Sequence, residues 1–245
     1  MEDESMSGHS KWKNIMHKKG KTDAQRAKVF TKMAREIMVI VKEGGPDPAS
    51  NSRLADAIAK AKAANVPNDN IERAIKKGAG DGDGKSYENN IYEGYGPGGV
   101  AVVVETLTDN KNRTAGDLRH YFDKFGGNLG TSGSVLWQFK QCGVIVIDKN
   151  AADEDELMMA ALDAGADDFN VEEEIYEIVT SPENFSAVRL ALEQAGYSFV
   201  TAEITRLAEN YVSLTDEKDI KFMNLLLEAL EDNDDVQDVA HNWDE

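Results

Sequence analysis

The residues with the clearest chemical potential lie near the front of the chain, in Gly8-His-Ser-Lys-Trp-Lys-Asn-Ile-Met-His-Lys-Lys-Gly-Lys21. His9, Lys11, Lys13, His17, Lys18, Lys19 and Lys21 bring cations, Trp12 a flat ring, and the flanking glycines let backbone amides approach closely. Lysines neutralise phosphates and release condensed counterions. An indole stacks on bases. Between Gly8 and Arg35 there are nine Lys and Arg residues and one acid, Asp23. Arg26, Lys28, Lys32 and Arg35 continue the cationic run, and Lys28, Lys32 and Arg35 fall at i, i+4 and i+7, one face of a helix. The chemistry is recognition of a polyanion. Arg113, Arg119 and His120 form a second, weaker group.

The net charge of −18 over 245 residues hides this arrangement. Residues 1–85 hold 17 Lys and Arg against 12 Asp and Glu, net +5, whereas residues 86–245 hold 10 against 33, net −23. An evenly acidic protein is repelled by nucleic acid. This one has a basic end on an acidic body, the asymmetry of a nucleic-acid binder.

Other motifs read as scaffold. Gly94-Tyr-Gly-Pro-Gly-Gly99 matches the dinucleotide fingerprint in letters, but that fingerprint must open a helix to hold the pyrophosphate. Here Val100-Ala-Val-Val-Val104 follows, a strand pattern, so a hairpin loop is expected. The acidic runs at 153–156, 172–174 and 232–235 lack the spaced ligand pattern of a calcium loop and read as solvated turns and helix starts. No histidine stands at metal-ligand spacing, and no G-x-S-x-G, P-loop or H-E-x-x-H occurs. No catalytic, metal or cofactor site is expected. The lone Cys142 excludes an internal disulfide and suits a reduced, cytoplasmic compartment. No apolar run is long enough to span a bilayer, and no secretory signal pattern is present.

Elements follow from periodicity. Met1–Ser5 is an acidic leader unlike the rest, and residues 6–21 lack a sustained period, which suggests an extended arm. Thr22 with Gln25 forms a capping box. Phe30, Met33, Ala34, Ile37, Ile40 and Val41 then carry a 3.6 period as far as Gly44-Gly-Pro46. Two more helices are expected, one over 50–64 with Leu54, Ile58 and Ala61 inward, and a short one after the turn Val66-Pro67-Asn68 with Ile71, Ala74 and Ile75 inward and Gly78 as cap. Gly78 to Ser86 is a Gly/Asp linker.

The period then shifts toward 2. Strands are expected at 89–95 and 100–106, a helix at 113–125, and a long or paired strand at 135–147. A β-α-β-β-α-β order runs through residue 205, the order of a ferredoxin-like unit. Strand 211–214, helix 216–230 and strand 236–241 are left to complete a similar unit with residues 87–130. The expected fold is α+β: a small helical domain, then two ferredoxin-like α/β domains, one inserted in the other. Its segments are a basic arm (1–21), a helical domain (22–80), a discontinuous domain (81–134 and 208–245) and an insert (135–207).

Met6-Ser-Gly-His-Ser-Lys-Trp-Lys-Asn-Ile, Arg26-Ala-Lys-Val-Phe-Thr-Lys, Asn70-Ile-Glu-Arg-Ala-Ile, Tyr92-Glu-Gly-Tyr-Gly-Pro-Gly-Gly-Val and Asn112-Arg-Thr-Ala resemble motifs of the YebC/PmpR family. The likeness begins at Met6 and runs to about the C-terminus. It implies a three-domain cytoplasmic protein without a cofactor. Members are customarily assigned as DNA-binding transcriptional regulators. They are also described, mitochondrial relatives included, as ribosome-associated translation factors that ease synthesis of proline-rich stretches. The expected partner is therefore ribosomal RNA, with the ribosome, or promoter DNA, and no membrane; the expected oligomeric state is a monomer. The absence of an Arg/Asn/Gln base-reading helix face favours RNA over duplex DNA.

Overall fold

The first apolar stripe folds as helix α1 (Asp23–Gly44) in the computed structural model, which describes residues 23–80 and 86–244. Ile37, Ile40 and Val41 are its buried positions. The arm, the Thr22 cap and residues 81–85 of the linker lie outside the described residues. Gly45, at φ +90°, turns the chain out of the helix. Asn51 then caps α2 (Ser52–Ala63): its Oδ1 accepts the Leu54 amide at 3.1 Å, and its Nδ2 donates to the Gly45 carbonyl at 2.9 Å. One side chain thus starts one helix and fastens the exit of another. Ala57, rather than Ile58, joins Leu54 and Ala61 in the core.

Gly78 corrects a sequence expectation. It does not cap α3 (Asn68–Ala79) but sits inside it. A Cβ there would lie 2.7 Å from the Met38 carbonyl oxygen and 2.9 Å from the Val41 Cβ. Glycine is required because two helix backbones touch, not because a helix ends.

Strands β1 (Glu88–Tyr95) and β2 (Ala101–Thr108) form an antiparallel hairpin with Glu88 opposite Thr108 and Tyr95 opposite Ala101. Its loop is a tight 3-10 turn, Pro97–Gly99, with Gly98 and Gly99 at positive φ. The Gly96 amide donates to the Val100 carbonyl at 2.8 Å, so the glycine-rich motif closes a hairpin. Helix α4 (Lys111–Lys124) and the short β3 (Asn128–Leu129) follow. At the far end of the chain come β8 (Val212–Ser213), α7 (Glu217–Asp232), β9 (Val236–His241) and β10 (Trp243–Asp244). Spatial order in this sheet is β3-β1-β2-β9, all pairs antiparallel. One face packs Val100, Val102 and Val104 on Leu118 and Phe122 of α4 and Met223, Leu226 and Leu230 of α7. The other packs Ala101 and Val103 with Val135, Phe139 and Ala240. Because β2 is covered on both sides, its first four residues, Ala101–Val104, are all apolar rather than alternating.

The intervening segment runs β4 (Phe139–Asp148), α5 (Glu154–Asp163), β5 (Asp168–Val171), β6 (Ile175–Thr180), α6 (Phe185–Gln194) and β7 (Thr201–Ala208). Its sheet order, β5-β6-β4-β7, places the first strand between the third and fourth, which is the ferredoxin-like arrangement. Ile145, Ile147 and Ile178 meet Leu157, Phe185, Val188 and Leu192 from the two helices. The fold is thus α+β, helical at the start, with one α/β domain inserted in another. The outer domain departs in two details: β1 and β2 are joined by a hairpin rather than through a helix, and β8 pairs in parallel with β10 outside the four-stranded sheet.

By contacts the described chain divides into two units, residues 23–32, 86–140 and 206–244 in one and residues 33–80 and 141–205 in the other. In the second unit Arg189, only 4% exposed, donates through Nε to Asp56 at 2.7 Å and through an Nη to Glu193 at 2.7 Å. That pair fixes α2 on α6.

Candidate nucleic-acid interface

Of the cations singled out in the sequence, His9, Lys11, Lys13, His17, Lys18, Lys19 and Lys21, together with Trp12, lie outside the described residues. Arg26 is exposed on the first turns of α1. Lys28 and Lys32 meet the C-terminal end of α7. The Lys28 ammonium lies 2.6 Å from the Asp232 carboxylate, and the Lys32 ammonium donates to the Glu231 carbonyl at 2.6 Å. A helix C-terminus carries unsatisfied carbonyls and a partial negative charge, so it attracts cations. The hydrogen bond to Asp232 raises the Lys28 pKa above its ordinary 10.5. Arg35, three residues on from Lys32, is half-buried.

The second group divides. Arg113 is exposed but tied to the protein's own acids, donating to Asp109 at 2.9 Å and to Asp235 at 2.7 Å. Asp235 also accepts the Thr108 hydroxyl at 3.0 Å and the Thr114 hydroxyl at 2.8 Å. Burial pushes the Asp235 carboxyl up, but hydrogen bonds from Arg113, Thr114 and Thr108 outweigh it and hold the group below its usual 3.8. Those hydrogen bonds to Asp235 and Asp109 in turn raise Arg113. Arg119 and His120 are exposed on α4, and Arg119 has no ion-pair partner among the described residues. His120 has its ring 6.1 Å from that of Tyr121.

The acidic run 232–235 is therefore not plain solvated surface. Asp235 is buried at 4% exposure as an acceptor for three side chains, and Asp232 holds Lys28. The run at 153–156 does open a helix, with Asp153 accepting the Glu156 amide at 3.1 Å. Among the described residues no group of three or more His, Cys, Asp or Glu is placed to hold a metal ion. Cys142 is buried.

Two residues of this region escaped the sequence patterns. Glu93, 3% exposed on β1, accepts three backbone amides: Gly133 at 2.6 Å, Val135 at 2.8 Å and Leu136 at 2.7 Å. Burial raises its pKa, yet these three bonds and the nearby Arg206 charge bring it below the usual 4.5. It pins the loop 130–136. Just beyond, Leu136–Gln138 is a 3-10 turn rather than the start of a strand. In a strand Trp137 would share the inward face of Val135 and Phe139. The tighter turn breaks that alternation and leaves Trp137 71% exposed.

These features define a class: an α+β protein with an inserted ferredoxin-like domain and a cation-rich leading segment. Residues 10–81 match the family described as TACO1/YebC protein N-terminal domain, and residues 87–243 the TACO1/YebC second and third domain. The chain belongs to the TACO1/YebC family. A relative from Acetivibrio thermocellus named "Probable transcriptional regulatory protein" is 61% identical over 97% of this chain and 99% of its own. One of the same name from Finegoldia magna is 56% identical over 98% and 99%. The crystal structure of a conserved hypothetical protein from Aquifex aeolicus superposes with a TM-score of 0.82 at 47% identity, covering 91% of this chain and 92% of that one. Among the described residues no helix is long and apolar enough to cross a membrane.

Proposed function

We propose that the chain is a non-enzymatic regulator of gene expression that grips nucleic acid through residues 8–35 and acts at the ribosome on ribosomal RNA. The observation that carries this reading is the charge division, net +5 in residues 1–85 against −23 in the remainder. An acidic body confines a phosphate polymer to the basic end. Cations interspersed with an aromatic suit single-stranded or structured RNA. Helices α1 to α3 offer no Arg/Asn/Gln face for reading a major groove. The family resemblance supplies the finer expectation of a translation factor that eases synthesis through proline-rich stretches.

A second reading, a DNA-binding transcriptional regulator, is favoured by the names of the relatives. Crosslinking in cells followed by sequencing of the bound nucleic acid separates them. Enrichment of ribosomal RNA supports the first reading, and enrichment of promoter DNA replaces it with the second.

A further inference from the structure

Trp137 is the most exposed of the large hydrophobic side chains among the described residues, at 71%. Leaving an indole in water forgoes the stabilisation that burial of a large apolar side chain supplies. The side chain is nevertheless not loose. Its Nε1 donates to the Ser134 carbonyl at 3.2 Å, and the Tyr95 hydroxyl donates to the same oxygen at 3.3 Å. The backbone below it is fixed by the three amides that Glu93 accepts. The single polar atom of the indole is thus used internally. What remains on offer is the flat face, already oriented.

The surroundings decide what that face suits. A protein docking site centres its aromatic anchor in a ring of apolar neighbours. Around Trp137 the exposed neighbours in sequence are polar: Thr131, Ser132, Lys140 and Gln141. Leu136 is half-buried and packs inward with Val135 and Phe139. Lys140 has no ion-pair partner among the described residues. Three residues of chain place its Cα within about 11 Å of that of Trp137. An exposed, fixed aromatic with polar sequence neighbours and a cation three residues on matches a base beside its phosphate.

We propose that Trp137 is a stacking platform for an unpaired nucleobase, with Lys140 beside it for the adjoining phosphate. The inference rests on the nucleic-acid reading above and adds a second contact, far in sequence from the basic arm. It assigns preference for unpaired over duplexed nucleic acid to a residue of the unit that holds residues 86–140.

The test uses the full-length chain and two probes, a single-stranded RNA of about 12 nucleotides and the same sequence as a duplex. Trp137→Ala is expected to weaken single-strand binding about 5- to 100-fold. Duplex affinity, salt slope and thermal unfolding should be unchanged. Trp137→Phe, which keeps an aromatic face, should recover most of the loss. Lys140→Ala should reduce the single-strand salt slope by about 0.7. If the wild-type chain binds and Trp137→Ala binds both probes equally well, the platform is refuted while the nucleic-acid reading stands. Equal weakening on single strand and duplex also refutes it. A wild-type chain that binds neither probe refutes both.

Discussion

The Arg113 guanidinium donates to the Asp235 carboxylate at 2.7 Å, joining the start of α4 to the turn before β9 across more than 120 residues of chain. Thr108 and Thr114 complete the site, their hydroxyls 2.8 Å apart and both donating to the same Asp235 oxygen. Asp235 side-chain exposure is 6% against 47% for Arg113. The carboxylate therefore depends on its partners more than the guanidinium does. Arg113→Ala should destabilise by about 1–3 kcal/mol, because it strips a charged donor from a buried acceptor. Urea unfolding checks it; a loss within 0.5 kcal/mol, roughly that of an ordinary surface substitution, would contradict the assignment.

Asp235 and Glu93 together set a pH dependence. Both carboxyls titrate below their ordinary values of 3.8 and 4.5 in the folded protein. On acidification the unfolded chain takes up these protons first. Their stabilisation is present in full above the unfolded values and is lost as pH falls through the folded ones. The urea midpoint of the wild type should hold steady down to about pH 5 and drop below it. In the Glu93→Gln, Asp235→Asn double variant the midpoint should be lower at neutral pH and fall less steeply. An identical slope in both proteins would count against this origin.

Glu93→Gln alone removes part of a three-amide acceptor, since an amide oxygen cannot replace both carboxylate oxygens. A loss of about 2–3 kcal/mol is expected. Amide hydrogen exchange at Gly133, Val135 and Leu136 should accelerate ahead of the rest of the sheet. Unchanged exchange there would show that the loop is held by something else.

At Gly78 two effects oppose each other. Alanine gains about 1 kcal/mol of helix propensity, but its Cβ would stand 2.7 Å from a backbone carbonyl that cannot rotate away. Overpacking of this kind costs about 1–3 kcal/mol. Gly78→Ala should therefore lower the melting temperature. A rise would mean that α1 and α3 separate easily.

The two α1 lysines that meet the end of α7, Lys28 and Lys32, yield a prediction about binding. The exposed Lys28–Asp232 pair contributes little to stability, at most about 1 kcal/mol. Asp232→Asn frees a cation of the basic run. Nucleic-acid affinity should rise, with the salt slope steeper by about 0.7–0.9, while thermal unfolding changes little. A fall in affinity would place Lys28 outside the interface.

The β-α-β-β-α-β order and the split outer domain were legible because each helix and strand carries its own period, and glycines mark the breaks. What escaped was tertiary. Gly78 follows a periodic apolar stretch, as a cap would, and only the approach of α1 shows why it is there. Val135, Trp137 and Phe139 alternate like a strand until a 3-10 turn intervenes. Asp235 sits in an acidic run typical of surface, and its burial depends on Arg113, Thr108 and Thr114, all over 120 residues away. The cationic run was visible from composition, but its engagement with α7 was not, since the partner atoms include a backbone carbonyl that no pattern encodes.

Whether the leading cations hold the phosphate polymer is decided by removing them. The most direct measurement compares the full chain with one beginning at Thr22, both titrated with ribosomes and with DNA across a salt series. The shortened chain should fold, lose most of its affinity, and show a salt slope flatter by about 0.7–0.9 for every phosphate contact removed. Equal affinity and equal slope for the two chains would contradict that role of the cations.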